Sequence, residues 1–178
     1  MAILTANPEF GEDAINLFNR LTGLSKFESW NDLGVAPNKL ADQIIAMIDR
    51  EAELSTKENP GLIIVKVNQI AQRGVIQALY RASQKGVEIR AICRGVCCIK
   101  PGVPGVSENI EVRSVIGRFL EHTRIFYFKN GGNPEYFISS ADWMTRNLHK
   151  RVEVMTPIYS KKLQKTIDKV LEYYWKDN

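Results

Sequence analysis

The chain has 178 residues, 44% of them hydrophobic, enough for one well-packed domain and too few for two substantial ones. A formal charge of +4 and a pI near 9.0 suit an anionic partner without identifying it. No apolar run approaches the roughly 18–20 residues of a membrane span, and the N-terminus lacks a basic-then-apolar signal pattern, so a soluble, unexported chain is expected.

In chain order, Asn7-Pro8-Glu9 reads as an N-cap followed by proline at the first helical position. Phe10, Ala14, Leu17, Phe18 and Leu21 then recur at helical spacing until Gly23, which predicts a packing helix. Residues 24–37 carry Phe27, Trp30 and Leu33 among polar neighbours and read as a surface connection pinned by aromatics. Residues 37–53 place Leu40, Ile44, Met47, Ile48 and Ala52 on one face, a second amphipathic helix.

The run Leu62-Ile63-Ile64-Val65-Lys66-Val67-Asn68 has the length and β-branching of a strand buried on both faces, which requires helices over the sheet. A helix over 73–85, stopped by Gly86, and a strand over 87–93 complete a βαβ unit. Ligands of such units lie beyond the strand C-termini, where Lys66, Asn68 and Arg94 fall. Residues 94–107 hold Gly102, Gly105, Pro101 and Pro104 after the cysteines and predict a shaped loop, whose backbone N–H groups could serve an anion or simply connect. Cys93, Cys97 and Cys98 lack C-x-x-C or zinc-type spacing. They suit a reducing cytoplasmic setting, with Cys97 and Cys98 read as small packing residues.

Residues 113–142 organise the chain. An aromatic segment after His122, the turn-forming Lys129-Asn130-Gly131-Gly132-Asn133-Pro134 and a second apolar segment ending in Ser139-Ser140-Ala141-Asp142 predict a β-hairpin. His122 and Arg124 share a face at its entry, and in simple register Ser139, Ser140 and Asp142 leave the second strand beside them. Imidazole, guanidinium and hydroxyls together suit a phosphoryl group, although a lone histidine at a strand edge is more often structural and Arg124 could pair with Glu121 or Asp142. A strand over 152–158 and a helix over Lys161–Lys176 capped by Ser160, with Leu163, Ile167, Val170, Leu171 and Tyr174 on one face, close the domain. The lysines of that helix read as a solvated face.

Four stretches carry a resemblance. Ile92-Cys93-Arg94-Gly95-Val96-Cys97-Cys98, Pro101-Gly102-Val103-Pro104-Gly105-Val106-Ser107-Glu108-Asn109-Ile110, Val115-Ile116-Gly117-Arg118-Phe119-Leu120-Glu121-His122-Thr123-Arg124 and Ile138-Ser139-Ser140-Ala141-Asp142-Trp143-Met144-Thr145-Arg146-Asn147-Leu148 closely resemble the C-terminal portion of bacterial polyphosphate kinase. That family works through a phosphohistidine. The resemblance implies an α/β, phospholipase-D-like mixed sheet flanked by helices in a single domain over 1–178, with a helical entry segment at 1–56 and a closing helix at 160–176.

The implied activity is reversible transfer of the ATP γ-phosphoryl to long-chain polyphosphate, with ATP and Mg2+ as cofactors of the parent enzyme. By the same resemblance Arg94 binds nucleotide phosphate, His122 binds phosphate and moves a proton, and Arg146 sits near the phosphates. Lys66 and Asn68 match a Lys-x-Asn element, and His122-x-Arg124 with Ser139, Ser140 and Asp142 is similar to a degenerate phospholipase-D pair. The phosphate-accepting histidine, the metal ligands and a nucleotide-contacting tyrosine belong to a preceding domain. No His-x-Lys element occurs in these 178 residues, so the chain alone is expected to be inactive. The implied partners are ATP or ADP, polyphosphate and the upstream domains, in a homo-oligomeric cytoplasmic parent with membrane association left open and no nucleic acid. Two other classes remain beside this reading: a phospholipase-D-like phosphodiesterase, and a non-catalytic module that binds polyanions or nucleotides.

Overall fold

The computed structural model describes residues 2–26, 29–37 and 39–177. Phe27, one of the expected aromatic pins, lies outside them. The chain runs α1 (Pro8–Leu21), β1 (Gly34–Ala36), α2 (Leu40–Leu54), β2 (Leu62–Val67), α3 (Arg73–Gln84), β3 (Glu88–Cys93), β4 (Ile110–Arg113), β5 (Ile125–Phe128), β6 (Glu135–Ser139), α4 (Thr145–His149), β7 (Glu153–Pro157) and α5 (Lys161–Lys176). The strands form a seven-stranded sheet in the order β1-β7-β6-β5-β2-β3-β4. β2, β3 and β4 are parallel neighbours, whereas β5, β6, β7 and β1 join antiparallel, so the sheet is mixed.

Period-two alternation explains the layering. Ile63, Val65 and Val67 of β2 and Phe126 and Phe128 of β5 face a core with Ile44, Ile48, Val75 and Leu79 from α2 and α3. Ile64 and Ile125 face the opposite side, against Ile167 and Leu171 of α5. Lys66 follows Ile64 on that second face and is fully buried there.

Several expectations change. The entry segment is not purely helical, because Gly34–Ala36 pairs with β7 as an edge strand, and the chain must turn before α2 can begin at Leu40. β4 is a short addition to the parallel edge that no pattern announced. Along α1 only one face is covered: Phe10 and Asp13 are buried, while Phe18 and Leu21 are exposed, so the expected apolar stripe is only partly a packing surface. Asp13 is buried because its carboxylate accepts the backbone N–H groups of Asn31, Asp32 and Leu33, at 2.9 Å for the first contact of each. Ser160 stands at the N-cap of α5, but its side chain does not accept a capping bond. Cys97 packs against the core, whereas Cys98 is exposed and packs nothing away from solvent.

The hairpin forms in the simple register, with Ile125 opposite Ile138 and Tyr127 opposite Tyr136. Its turn is a single 3-10 turn over Asn130–Gly132, with Asn130 and both glycines at positive φ. His122 and Arg124 precede β5 rather than lying within it.

Candidate functional site

At one end of the sheet three loops are laced together. Ile70 N–H donates to Val96 carbonyl at 2.8 Å, Cys98 N–H returns a bond to Ile70 carbonyl at 2.8 Å, and Ala71 N–H donates to Trp143 carbonyl at 2.8 Å. The segments after β2, β3 and β6 are therefore bonded into one floor. Gly95 sits where a Cβ would stand 3.1 Å from the Asn68 carbonyl oxygen, so glycine permits the close approach that brings the two strand ends together.

Above this floor opens a hollow of about 690 Å³ whose lining includes Asn68, Arg94, His122, Arg124, Asp142, Arg146 and Arg151. The order of the strands explains the gathering: β6, β5, β2 and β3 are neighbours, and the residues leaving their ends on one side become neighbours too.

Arg124 is the centre of its bonding. Its Nε donates to Asp142 Oδ1 and its Nη2 to Asp142 Oδ2, both at 3.0 Å, a fork-on-fork pair in which each side chain is about one-tenth exposed (10% and 9%). Asn68 N–H donates to the same carboxylate at 2.8 Å. Burial alone would raise the pKa of Asp142, but the bonds from Arg124 and Asn68 together outweigh it and hold the carboxyl below its usual range. The positive charge of Arg124, with smaller contributions from burial and Arg94, lowers the pKa of His122. An exposed imidazole with a lowered pKa is neutral at pH 7 and can take or lend a proton.

Arg94 donates from Nη1 to the Glu121 carbonyl at 2.9 Å, and its other nitrogens remain for a ligand. Arg146, in the first turn of α4, and Arg151, just beyond its end, are both exposed and are tied by the Arg151 N–H to Arg146 carbonyl bond at 3.0 Å. Glu153, largely buried, accepts from Ser140 Oγ at 2.5 Å and Asn147 Nδ2 at 2.6 Å, which fixes the wall opposite.

Of the residues expected at the site, Asn68, Arg94, His122, Arg124 and Arg146 all line the hollow. Lys66 does not. It lies beneath the segment before His122, with Nζ 3.4 Å from the Glu121 carbonyl oxygen and 5.3 Å from the centre of the Tyr174 ring, and burial lowers its pKa. Lys66 and Asn68, both expected beyond the strand end, part here: Asn68 reaches the hollow, while Lys66 stays on the face of β2 that α5 covers. The glycine-rich loop over 95–107 contributes none of the lining residues, so its N–H groups are not at the hollow. Its role is to connect: Ser107 Oγ donates to the Lys100 carbonyl and accepts from Val103 N–H, closing the loop on itself. Arg151 and Glu153 were missed. Glu153 lies in the expected strand and Arg151 just before it, and the pairing of β7 with β6 is what brings them beside Asp142.

The model of the family described as polyphosphate kinase C-terminal domain 2 matches residues 33–178. The chain belongs to that family. It is 47% identical over all 178 residues to a polyphosphate kinase of Halalkalibacterium halodurans and 48% identical to one of Synechocystis, and it spans about a quarter of each, 25% and 24%. The crystal structure of polyphosphate kinase from Porphyromonas gingivalis superposes with a TM-score of 0.93 at 41% identity, covering 98% of this chain and 27% of that one. A phospholipase D family member from Salmonella typhimurium shares the fold at a TM-score of 0.59 and 15% identity, covering 80% of this chain and 91% of that one. The polyphosphate kinase C-terminal domain 2 is thus a mixed α/β, phospholipase-D-like domain. The hollow at the end of its sheet is lined by both Arg94 and His122.

Among the described residues no helix is long and apolar enough to cross a membrane. No group of three or more His, Cys, Asp or Glu side chains there is placed to hold a metal ion. The two carboxylates lining the hollow are already committed, Asp142 to Arg124 and Glu153 to Ser140 and Asn147. These residues do not fit a magnesium site.

Proposed function

We propose that this chain supplies one wall of a polyphosphate kinase active site, in which the terminal phosphoryl group of ATP passes reversibly to polyphosphate by way of a histidine elsewhere in the polypeptide. The observation that carries the reading is the convergence of an exposed, neutral His122 with the guanidinium groups of Arg94, Arg146 and Arg151 on one open hollow. The relatives named polyphosphate kinase, of which this chain spans a quarter, supply the reaction class.

In that reaction the attacking imidazole nitrogen bonds to the γ-phosphorus as the bond to the β-phosphate oxygen breaks, and ADP departs with the electron pair. Charge spreads over the non-bridging oxygens, and preorganised cations stabilise it most where water is displaced. Arg94 presents a half-buried guanidinium to those oxygens, and Arg146 and Arg151 hold the chain of phosphates at the mouth. His122 donates a hydrogen bond to, or takes a proton from, a phosphate oxygen as the phosphohistidine forms and breaks. Arg124, bound to Asp142, orients His122 and keeps it neutral. Lys66 acts from below, through the Glu121 carbonyl that it shares with Arg94.

The reading also entails ATP or ADP and polyphosphate as ligands, upstream domains as the other wall, magnesium bound outside these residues, and a cytoplasmic, homo-oligomeric parent. Incubation with γ-labelled ATP tests it. Acid-labile label should appear only when the remainder of the polypeptide is present, and His122→Ala in the full-length protein should abolish most turnover with the fold retained. Labelling of this chain alone, or near-normal synthesis by the folded variant, would refute it.

A further inference from the structure

The residue immediately before His122 is held from three directions. Its carbonyl oxygen accepts Lys66 Nζ from β2 at 3.4 Å and Arg94 Nη1 from the end of β3 at 2.9 Å. Its carboxylate Oε2 accepts the Tyr174 hydroxyl from α5 at 2.6 Å, and the same hydroxyl bonds the side chain of Thr123 on the other side of His122. Val115 anchors the start of the segment in the core and Arg124 Nη1 donates to the His122 carbonyl at 3.2 Å, but between them Ile116, Phe119 and Leu120 are 82%, 78% and 76% exposed.

Tyr174 is itself on a fixed post. The next residue, Trp175, is flanked by Arg90 and Arg113, whose guanidinium carbons lie 5.6 Å and 4.3 Å from its ring centre, and Arg113 also donates to the Trp175 carbonyl. The end of α5 is thereby tied to β3 and β4, and the Tyr174 ring lies over Lys66.

We propose that Tyr174 is a positioning residue for the site: its hydroxyl pins Glu121 and so sets where His122 stands over the hollow. Tyr174 does not line that hollow, so it acts through the residues on either side of His122, chiefly Glu121, and not on the ligand. The inference rests on the kinase reading for its effect on turnover, and on the structure alone for the clamp.

Tyr174→Phe keeps the ring over Lys66 and removes only the hydroxyl. In the full-length protein, amide exchange over residues 116–123 should accelerate while β2 and β3 keep their protection. Turnover should fall about tenfold in kcat with KM for ATP and the thermal midpoint unchanged, the signature of displaced machinery and not of lost binding or folding. Glu121→Ala, which leaves the Thr123 contact, should reproduce part of the change, and the double variant should lose no more than Tyr174→Phe alone. Unaltered exchange in Tyr174→Phe, unaltered kcat, or a double variant whose loss is the product of the two single losses would overturn the proposal. A wild-type protein without turnover would count against the kinase reading instead, and the exchange measurement would then decide the clamp by itself.

Discussion

The guanidinium of Arg124 lies against the imidazole of His122, with Nη1 3.4 Å from Nδ1 and Nη2 3.3 Å from Nε2, while the same guanidinium grips both oxygens of Asp142. A permanent positive charge so placed penalises protonation of the ring. The pair at Asp142 prevents the arginine from swinging away.

The pH dependence of turnover follows from this contact. If neutral His122 is the working form, kcat/KM rises with pH through the His122 pKa, which lies below its ordinary 6.5. Arg124→Gln removes the repelling charge and leaves Asp142 negative, and both changes favour the protonated ring. The acid limb of the kcat/KM profile should therefore move to higher pH. A limb that stays in place would show that His122 is not the titrating group.

Stability depends on the same pair with the opposite partner in view. Arg124→Gln strands a carboxylate that is about one-tenth exposed, and losing one member of such a pair costs about 3–5 kcal/mol. Adding Asp142→Asn should recover much of that loss in urea unfolding at pH 7. The Asp142 pKa is depressed in the folded protein, so its contribution is present above the unfolded carboxyl value, near 3.8, and is lost as pH falls through the lower folded one. Between pH 4 and pH 2 the double variant should lose less stability than wild type; equal slopes would contradict the linkage.

Arg146 and Arg151 are exposed, and no side-chain partner binds either guanidinium among the described residues. Alanine at either position should leave the thermal midpoint unchanged and raise KM for the anionic substrate about tenfold, the scale of one charge-assisted contact. The salt dependence of KM should become shallower as each cation is removed. An unchanged KM in both variants would place the phosphate path elsewhere.

Asp13 offers a control far from the hollow. Asp13→Ala leaves the N–H groups of Asn31, Asp32 and Leu33 without their acceptor and should cost about 2–3 kcal/mol in denaturant unfolding, with kcat and KM intact below the transition. Asp13→Asn, which keeps one carbonyl acceptor, should cost less. Equal losses in the two would mean that packing of the side chain, not its acceptors, matters.

The elements that periodicity dictates were legible in the sequence. The β-branched run at 62–67, the helix at 73–84 and the hairpin at 125–139 each carry enough consecutive, patterned residues for local chemistry to decide them. β1 and β4 were not legible, since three or four residues added to a sheet edge are stabilised by their neighbour and not by their own pattern. Within the site, Arg94, His122, Arg124 and Arg146 could be chosen from strand ends and a family resemblance. Lys66 shows the limit of that logic: alternation puts it on the correct face, but only the path of α5 determines that the face is roofed. Arg151 and Glu153 fail for the converse reason: nothing local distinguishes them, and the pairing of β7 with β6 is what carries them to the hollow.

The antiparallel pairing of β2 with β5 joins residues 62–67 to a strand some 60 positions later, and β5 in turn carries β6 and β7 with it. Asn68 and Arg94 therefore reach Asp142 and Glu153 only once this long-range closure has been made. A chain caught with just its early βαβ unit assembled would hold Asn68 and Arg94 without Arg124, Arg146 and Arg151 and without the acids beside them. Competence should arrive in a single late event during folding, and a nick between residues 113 and 125 would separate the two halves at their one covalent bridge.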